Sequence, residues 1–568
     1  MKAISLAPPT NWVIGFAVLA LCASIWLQKV SQQVPEPYLD EQFHVRQAQA
    51  YCAGRWDVWD PKITTPPGLY VFSAFFVPFV GGDCSIFYLR LLNSIITSFD
   101  IPLVASYILR QRLISKYNNQ SSKWSIEYAS HSAINIGFFP LLFFFSALYY
   151  TDIMSTFCVL VSHALLLSKR KSDGRKPQSM ARDIVVVLCG LVALSLRQTN
   201  IFWVAVFHGG LELVGALESN NPHKRSPAQE QVQDFQSVLR DSWYLCKIYD
   251  SPAEDAGLGD YIKMVFSIIV ASLAYWKVAL RALAPYLFLI GSFLGFVIWN
   301  GGVVLGDKSN HVATIHLTQM LYIGPCIVFF FPGPVLAYAA DTVLSRNRWS
   351  EKRIWPIVYK ILLALISLSA SIIIVHYNTI IHPFTLADNR HYVFYAFRWT
   401  ILRHPLIKYV LAPIYVLSGW SVLGLLSGRQ SDVLQTRKPN HKRDQEESDG
   451  NNSSFVMILL LSTALSVITA PLVEPRYFIV PIIIWRLHLP SSKMTHLPTM
   501  SRKYIFSNTN TKNKSAQNGQ LRVAQHGKWL LWLESFWFLS INLVTGYIFL
   551  NKGFEWPQEP GKVQRFMW

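Results

Sequence analysis

Long apolar segments, separated by shorter polar ones, make up most of this chain. The first covers residues 12–29, and many later windows approach the roughly 20 apolar residues that a helix needs to cross a bilayer. A membrane-spanning β-barrel would instead show ~10-residue segments that alternate apolar and polar side chains, and the sequence lacks this alternation. Because a segment in lipid must satisfy its own backbone hydrogen bonds, we predict an all-α polytopic membrane protein.

The apolar windows predict about thirteen transmembrane helices. Two further apolar stretches are assigned to the membrane interface as amphipathic or re-entrant helices. One of them, 67–81, is short and begins with proline and glycine, and the other, 264–282, contains Lys277 and Arg281. The predicted spans are residues 12–29, 86–109, 132–150, 152–168, 183–198, 200–217, 285–304, 316–343, 356–376, 405–426, 454–472, 476–490 and 530–550.

The composition supports the membrane assignment. Of the 568 residues, 52% are hydrophobic and 15% are charged, whereas an ordinary soluble domain carries roughly a quarter charged residues. The net charge of +18 raises the alternative of nucleic-acid binding, but the basic residues are scattered among short loops between apolar helices. Loops that face anionic lipid on the cytosolic side explain that distribution better, so we predict no nucleic-acid partner.

The N-terminal apolar segment sets the predicted orientation. Its apolar run exceeds the roughly 7–15 residues of a signal-peptide core, and no clear cleavage site follows, so we interpret it as an uncleaved signal anchor with a cytosolic N-terminus. Most Lys and Arg residues then fall in cytosolic connections, in agreement with the positive-inside rule. Residues 1–568 are treated as one integral membrane domain, with luminal loops at 30–85 and 377–404.

Three polar segments fall on the cytosolic side and lack helical periodicity, so they are predicted to be weakly ordered linkers. These segments are 218–262, 427–453 and 491–528. The Asn-x-Ser sequons of the chain also fall on this side and are predicted to carry no glycan. They lie at Asn119, Asn451, Asn452 and Asn513.

The seven cysteines show no CxxC or Cys/His spacing, so the sequence predicts no zinc site. No cluster of carboxylates and histidines has a spacing diagnostic of another metal site. Cys52 and Cys84 both fall in the first luminal loop, and in an oxidising lumen they are candidates to form a disulfide. The paired and the unpaired alternatives both stay open at this point.

Polar residues outside the linkers concentrate in five clusters. In the topology above all five clusters are luminal, which predicts a single site assembled from five loops. Transporters concentrate their functional polarity at mid-membrane, so clusters in loops on one face favour an interfacial enzyme. The clusters are Asp40 to Tyr70, Leu196–Asn200, Gly306–His311, His382–Arg398 and Glu474–Phe478.

Each cluster also has a purely structural interpretation. Asp40 precedes a predicted short helix that ends at Gly54, so its side chain is a candidate N-cap. Arg197 at a helix end is a candidate to snorkel towards the interface. Glu474 and Arg476 are candidates for a simple ion pair, which contributes little when exposed.

The two remaining clusters have structural interpretations of the same kind. The residues of the third cluster, Asp307, Lys308 and His311, are compatible with a solvated turn. The fourth contains Asp388, Arg390 and His391 beside a proline and several aromatic residues, which suggests packing against the membrane surface. Taken singly, these clusters are weak indications of function.

Together, the clusters hold the groups needed to transfer a sugar from a lipid phosphate. Such a reaction requires a base for the acceptor hydroxyl, cations for the departing phosphate and aromatic faces for the sugar rings. Asp40 and Glu41 are the candidate catalytic carboxylates. The aromatic candidates are Trp56, Trp59, Tyr70, Tyr392 and Tyr395. The candidate substrate-binding residues are His44, Trp59, Arg197, Lys308, His311, Asp388, Arg390, His391 and Arg476.

Five strings of the chain resemble a known enzyme family, the dolichyl-phosphate-glucose-dependent α-1,2-glucosyltransferases. These enzymes add the third and last glucose to the dolichol-linked N-glycan precursor in the endoplasmic reticulum membrane. The match runs in the expected order from about residue 12 onwards, and only the cytosolic loops are individual. The strings are YLDEQFHVRQAQAYCAGRWDVWDPKITTPPGLY, LRQTNIFWV, GDKSNH, HPFTLADNRHY and EPRYF.

The resemblance implies a GT-C-type glycosyltransferase with a luminal active site and no cofactor besides the lipid-linked donor. It implies dolichyl phosphate glucose as donor, Glc2Man9GlcNAc2-diphosphodolichol as acceptor, and inversion from a β-linked donor to an α-1,2 product. Asp40 occupies the acidic position that the family uses as base, and Glu41 is assigned to orientation or acceptor binding. Transfer of mannose, and a polytopic transporter or regulator, remain as alternatives.

Overall fold

The computed structural model describes residues 10–116, 123–169, 180–221, 234–308, 314–346, 354–428, 450–470, 472–491 and 528–568. These residues are mostly helical, and a two-stranded antiparallel hairpin lies near the end of the chain. The hairpin consists of β1 (Phe554–Trp556) and β2 (Glu559–Gln564). Predicted linkers 427–453 and 491–528, and the sequons at 119 and 513, lie largely or wholly outside the described residues.

Ten helices form the first part of the described chain, interrupted by π-helical turns at Ile96–Asp100 and Phe202–Phe207 and a 3-10 turn at Gln198–Asn200. The ten are α1 (Thr10–Gln33), α2 (Glu41–Cys52), α3 (Gly68–Phe79), α4 (Ile86–Ile95), α5 (Ile101–Lys116), α6 (Lys123–Gly137), α7 (Pro140–Phe145), α8 (Thr151–Lys169), α9 (Met180–Leu194) and α10 (His208–Asn220).

The second part of the described chain continues in the same way, with a 3-10 turn at Pro475–Phe478. Its helices are α11 (Phe235–Leu245), α12 (Leu258–Ala274), α13 (Trp276–Asn300), α14 (Thr318–Phe330), α15 (Pro332–Arg346), α16 (Ile354–Asn378), α17 (Pro383–Ala387), α18 (Tyr392–Trp399), α19 (Ile407–Val410), α20 (Ala412–Ser427), α21 (Ser453–Ile468), α22 (Ile479–Leu487) and α23 (Lys528–Asn551).

Eight helices of the described residues are long and apolar enough to cross a membrane, which supports a multi-pass helical protein. A ninth span is added if α14 and α15, which meet at a bend of 94°, count as one. The bend lies at Phe331, where Pro332 has no N–H to continue the helical hydrogen bonds. The predicted number of about thirteen spans stays a prediction. The eight spans are Trp12–Gln33, Ile86–Ile114, Thr151–Ser168, Gln198–Asn220, Trp276–Asn300, Val358–Asn378, Ile407–Ser427 and Trp529–Asn551.

Several predicted spans are shorter or broken in the structure. The prediction of one helix over 132–150 was wrong, because α6 ends at Gly137 and α7 begins at Pro140, which favours a helix start. The predicted span 476–490 is a 3-10 turn followed by α22, which has 9 residues. Irregular backbone within a membrane is tolerated where it is buried in protein, and every residue of α22 except Val480 is buried.

The interfacial assignment of 264–282 was wrong in its second half, because residues from 276 onwards begin the candidate span α13. Both charged residues of this stretch lie in the first turns of α13. Arg281 forms an ion pair with Asp183 of α9 at 2.8 Å, and the Lys277 ammonium lies 5.7 Å from the Trp276 ring centre. Charges near a helix end that find a partner are compatible with a spanning helix.

Part of the predicted linker 218–262 is helical. α11 turns Val238 and Ser242 inwards, one helical turn apart, and the Ser242 hydroxyl is hydrogen-bonded to the Ser267 hydroxyl of α12 at 2.8 Å. The prediction of weak order was therefore wrong for α11. The periodicity of this segment extends over only three turns, which made it easy to miss.

Buried polar contacts mark one end of the bundle. The Asn451 side chain is buried and donates to the carbonyl oxygens of Leu426 at 2.7 Å and His488 at 2.9 Å. Ala253 of the predicted cytosolic segment donates its N–H to the Asn451 carbonyl at 2.9 Å. The Asn451 amide is thus held by two backbone carbonyls, and the prediction that Asn451 carries no glycan stays a prediction.

Candidate functional site

In the part of the chain that the structure describes, direct contacts join four of the five polar clusters. Gln198 donates to the Thr64 carbonyl at 2.8 Å, and the Asp307 N–H donates to the Pro61 carbonyl at 2.7 Å. The Glu474–Phe478 cluster reaches Asp40 through Arg476. The fourth cluster reaches the first loop through the hairpin region, as described below. The prediction that these loops assemble together is supported for every described cluster.

Asp40 lies between α1 and α2, directly before the first residue of α2. It occupies the N-cap position, but its side chain makes no capping hydrogen bond. Instead, Oδ2 accepts a hydrogen bond from Arg476 Nη2 at 3.0 Å, and 48% of the side chain is exposed. The capping interpretation is therefore wrong, and a carboxylate that is both held and accessible is suited to chemistry.

The backbone before Asp40 is strained. Leu39 has a φ of 54°, the left-handed region that costs a residue with a Cβ roughly 1–2 kcal/mol. The surrounding contacts maintain it: the Tyr38 N–H donates to Glu41 Oε2 at 3.0 Å, and the Glu41 N–H donates to the Tyr38 carbonyl at 3.2 Å. Strain of this kind clusters at functional sites.

Glu41 has no contact with solvent. Its oxygens accept from Arg90 Nε at 2.8 Å and Nη2 at 2.7 Å, in a pair with both side chains fully buried. Oε1 also accepts the Tyr149 N–H at 2.7 Å. Acceptor binding by Glu41 therefore does not fit the structure, because its carboxylate is enclosed. Orientation does fit, since this pair ties the start of α2 to α4.

The environment keeps Asp40 ionised. Burial alone raises the pKa of Asp40, but the Arg476 guanidinium outweighs it, with smaller contributions from His44 and His391, so the pKa is lowered. Burial lowers the pKa of His44 to about 4, which leaves its imidazole neutral at pH 7. His44 Nδ1 lies 2.6 Å from the Tyr70 hydroxyl, a hydrogen bond that fixes the ring.

Arg476 connects two carboxylates. Besides Asp40, it contacts Glu474 through its Nε atom, and its guanidinium lies 5.6 Å from the Tyr150 ring centre. The simple ion pair considered from the sequence is present, but it belongs to a larger network. An arginine with several donors in one plane can exchange one carboxylate partner for a phosphate oxygen.

Arg197 is likewise paired instead of snorkelling. Its Nη1 lies 2.9 Å from Asp152 Oδ1 at the start of α8, and its Nε donates to the Thr151 hydroxyl at 3.2 Å. The guanidinium also lies 5.8 Å from the Tyr477 ring centre. Tyr477 is the neighbour of Arg476, so Arg197 contacts the same short turn that contains Arg476.

Asp388, Arg390 and His391 form a second charged group. Arg390 donates to Asp388 through Nε at 2.8 Å and Nη2 at 2.7 Å. His391 Nε2 lies 3.7 Å from the same carboxylate. Burial raises the pKa of Asp388, but the hydrogen bonds from Arg390 outweigh it and lower the pKa. The Arg390 guanidinium stacks 4.4 Å from the Trp556 ring centre, so this part of the loop packs on the hairpin.

The Gly306–His311 cluster is described only as far as Lys308, so His311 lies outside the described residues. Gly306 has a φ of 63°, and a Cβ there would collide with the Pro61 carbonyl, which explains the glycine. The Lys308 ammonium is exposed and donates to the Asn300 carbonyl. Lys308 is thus held at its own turn, beside loop 60–64.

Trp59 lines an apolar cavity of about 490 Å³ beside loop 60–64. The Trp59 ring lies 6.1 Å from the Tyr70 ring, which is the partner of His44. Trp59 and Tyr70 thus connect the cavity to His44, which lies near Asp40. Its other lining residues come from loop 66–67, α9, the 198 turn, α13 and the turn at 305–306, and include Leu191, Leu194, Phe293, Phe296 and Trp299.

A disulfide joins Cys52 at the end of α2 to Cys84 before α4, which confirms the paired alternative. It closes a loop that contains α3 and Trp59, and so holds the segment between α2 and α4 together. Among the described residues, no group of three or more His, Cys, Asp or Glu side chains is arranged to hold a metal ion.

Several important residues were not recognised from the sequence. Arg90 and Asp152 lie within apolar helices, and a charge in such a segment is a signal of function that points to a partner. Tyr38 and residues 564–568 carried no signal, because their contacts join positions more than five hundred residues apart. Trp56, one of the aromatic candidates from the sequence, stacks on Phe75 near the protein surface, with ring centres 6.0 Å apart.

The described structure defines a polytopic helical membrane protein with a carboxylate and arginine site where several loops meet. The chain belongs to the DIE2/ALG10 family, whose model matches residues 34–487. It is 36% identical to a protein of Aspergillus fumigatus over 100% of this chain and 99% of the relative. It is 30% identical to a mouse (Mus musculus) protein over 96% of each chain.

A third relative, from Arabidopsis thaliana, is 29% identical over 98% of this chain and 100% of the relative. All three relatives are named Dol-P-Glc:Glc(2)Man(9)GlcNAc(2)-PP-Dol alpha-1,2-glucosyltransferase. No solved structure matches the chain. The family membership agrees with the resemblance recognised in the five sequence strings.

Proposed function

We propose that this protein transfers glucose from dolichyl phosphate glucose, in α-1,2 linkage, to Glc2Man9GlcNAc2-diphosphodolichol. The relatives that match the chain along almost its whole length bear this activity in their names. The structural observation that carries the proposal is Asp40, a half-exposed carboxylate held by Arg476 among further cations. The active site is proposed to face the lumen of the endoplasmic reticulum, on a GT-C-type fold.

Asp40 is the proposed base. It takes the proton of the acceptor hydroxyl while the hydroxyl oxygen bonds to the anomeric carbon of the donor glucose. The bond between that carbon and the phosphate oxygen breaks, and its electron pair leaves with dolichyl phosphate. Attack opposite to the leaving group inverts the β-linked donor to an α-linked product, which requires one base and no covalent intermediate.

Cations stabilise the departing phosphate. Arg476 and Arg197 flank Tyr477 beside Asp40, so a phosphate near this turn meets two guanidinium groups. Each guanidinium is already oriented by a carboxylate, Glu474 or Asp152, and therefore loses little freedom when it binds an anion. Arg390 and His391 are the further candidates, because His391 is close enough to Asp40 to help lower the pKa of that carboxyl.

The apolar cavity beside Trp59 suits the lipid part of a substrate. Its lining is almost entirely hydrophobic, and it lies between α9 and α13, next to the loop that contains Asp40. A polyprenyl chain buried there would leave its phosphate near the charged groups at the loop end. Burial of apolar surface contributes about 25 cal/mol per Å², and this free energy would favour binding of the lipid chain.

The test is a reaction of purified protein with a defined lipid-linked donor and a synthetic acceptor, followed by linkage analysis. Asp40→Asn keeps the shape of the side chain and removes the basic oxygen, so transfer should fall at least about 100-fold. Asp57→Asn, a carboxylate exposed on the same loop, is the matched control and should leave transfer unchanged. Normal product from Asp40→Asn would exclude Asp40 as the base.

The donor sugar is tested in the same assay. Dolichyl phosphate glucose and dolichyl phosphate mannose are offered separately to the wild-type protein. We expect an α-1,2-glucosyl product, whereas transfer of mannose would support the alternative considered from the sequence. Movement of the lipid without any glycosidic bond formed would favour a transporter.

A further inference from the structure

Residues at the end of the hairpin and directly after it contact the loop that contains Asp40 and the loop that contains Arg390. We call Gln564–Trp568 the anchor segment. Its first contact is with the loop that contains Asp40: the Tyr38 hydroxyl donates to the Arg565 carbonyl at 2.7 Å and accepts the Arg565 N–H at 2.7 Å. Tyr38 is buried, so these hydrogen bonds are shielded from water.

The other edge of the anchor segment is bonded to the loop that contains Arg390. The Met567 N–H donates to the Arg390 carbonyl at 2.8 Å, and the Tyr392 N–H donates to the Met567 carbonyl at 2.9 Å. Met567 and His391 form a parallel β-bridge. His391 Nδ1 lies 3.0 Å from the Trp568 carbonyl, which orients the imidazole through its second nitrogen.

Side chains add a third connection. Arg390 Nη1 donates to Gln564 Oε1 at 3.0 Å. Arg565 Nη1 donates to the carbonyls of Phe549 and Leu550 at 2.8 and 2.7 Å, and Arg565 Nη2 donates to the Gln33 carbonyl at 3.0 Å. These carbonyls lie in the last turns of α1 and α23, where helix carbonyls have no partner within their own helix. The Arg565 guanidinium therefore supplies the missing hydrogen-bond donors, and its positive charge stabilises the two helix C-termini.

We propose that Tyr38 and the anchor segment position the proposed base relative to the Arg390–His391 loop. Tyr38 lies two residues before Asp40, and Arg390 and His391 lie on the opposite side of the anchor segment. The segment is therefore the structural link that sets the distance between the group that takes the proton and the cations nearby. Tyr38 itself contacts no reacting atom in this proposal, so it is a positioning residue.

This inference rests on the proposed function and deepens it. Misplacement of a reacting group by about 1 Å can cost roughly 100-fold in rate, even when the mutated residue is remote from the chemistry. A free anchor segment would leave the strained Leu39–Asp40 backbone less constrained. The consequence should be seen in turnover at saturating substrate rather than in the amount of folded protein.

Tyr38→Phe is the decisive variant, because it removes both hydrogen bonds to Arg565 and keeps the ring. The backbone bonds of Tyr38 to Glu41 and Tyr150 are retained. We expect kcat to fall about 10- to 100-fold while the thermal midpoint stays close to that of Tyr107→Phe. Tyr107→Phe is the matched control, since its hydroxyl is hydrogen-bonded to Ser168 at 2.6 Å, away from the proposed site.

Gln564→Ala tests the other side of the link with a different readout. It removes the acceptor of Arg390 Nη1, so the KM for the lipid-linked donor should rise at least about 5-fold with kcat less affected. Lys562→Ala, at an exposed position of β2, is its control and should change neither constant. Tyr38→Phe is thus expected to change mainly kcat, whereas Gln564→Ala is expected to change mainly KM.

Wild-type kinetics in both Tyr38→Phe and Gln564→Ala would overturn the inference, provided that the wild-type protein transfers glucose. Loss of folded protein in Tyr38→Phe, with normal kcat in the remainder, would also overturn it, because the segment would then be only structural. A wild-type protein that transfers no sugar would instead contradict the proposed function, so the two failures are distinguishable.

Discussion

Two adjacent carboxylates, Asp40 and Glu41, have different surroundings. Successive residues at a helix start point about 100° apart, so one side chain faces the open site and the other faces the bundle. Asp40 is half exposed and bound by Arg476, whereas Glu41 is buried with Arg90. At the scale of the residue, the lowered pKa of Asp40 is the property that is most open to measurement.

The Arg476→Gln variant should shift the pH dependence of transfer. A base acts in its ionised form, so the acid limb of kcat follows the pKa of Asp40 and lies below the ordinary carboxylate range in the wild-type protein. Without Arg476, the largest contribution that lowers the pKa of Asp40 is lost, so this pKa rises and the acid limb moves to higher pH. The profile is measured with donor in excess, and an acid limb that does not move would separate Arg476 from the ionisation of Asp40.

Buried ion pairs join the helices that frame the site. Arg90 of α4 holds Glu41 at the start of α2, and Arg486 of α22 holds Glu534 of α23, with all four side chains almost fully buried. Removing one partner leaves an uncompensated buried charge, which costs more than the pair itself contributes. The two pairs have the same chemistry, but only the first touches the loop that contains Asp40.

Arg90→Met should lower the free energy of unfolding by about 3–5 kcal/mol and also reduce kcat of the folded protein. Arg486→Met removes the corresponding arginine of the second pair and serves as the control. It should be destabilising to a similar extent while the folded fraction keeps its kcat. Thermal unfolding of the purified variants and kcat per folded molecule are compared, and equal kinetic effects in both would mean that Glu41 does not orient Asp40.

At the scale of the whole molecule, direct contacts join four of the polar clusters of the proposed site, and the anchor segment connects the His382–Arg398 cluster to the loop that contains Asp40. A separate group of contacts connects Asn451, Leu426 and His488, and the predicted topology places that group on the cytosolic side. α21 runs between the two groups, from Ser453 to Ile468. This separation is what an enzyme with its site at one membrane face requires.

Single cysteines report which face is luminal. Gln558→Cys lies in the exposed hairpin turn, and Asn452→Cys is exposed next to Asn451. In sealed microsomes, a membrane-impermeant maleimide should label Asn452→Cys. It should label Gln558→Cys only after the membrane is permeabilised. Labelling of both variants is compared with that of the parent chain. The reverse labelling pattern would invert the predicted topology and place the proposed site in the cytosol.

The sequence by itself determined the membrane class, the approximate positions of most long helices, and the family. Apolar length is a local property that a bilayer imposes directly, and the irregular polar strings are specific enough to be recognised. It also predicted that Asp40, Arg197, Arg390 and Arg476 belong to one site, because the predicted topology places their loops on one side.

Only the tertiary structure decided the partner of each charged residue. These contacts join segments that are distant in sequence, and no local pattern encodes them. Glu41 is paired with Arg90, Arg197 with Asp152, and Tyr38 with the anchor segment. Broken helices such as α6 and α7 follow the same rule, because backbone irregularity is tolerated only where neighbouring protein supplies burial and hydrogen bonds. The difference in exposure and partner between Asp40 and Glu41 is therefore a property of packing.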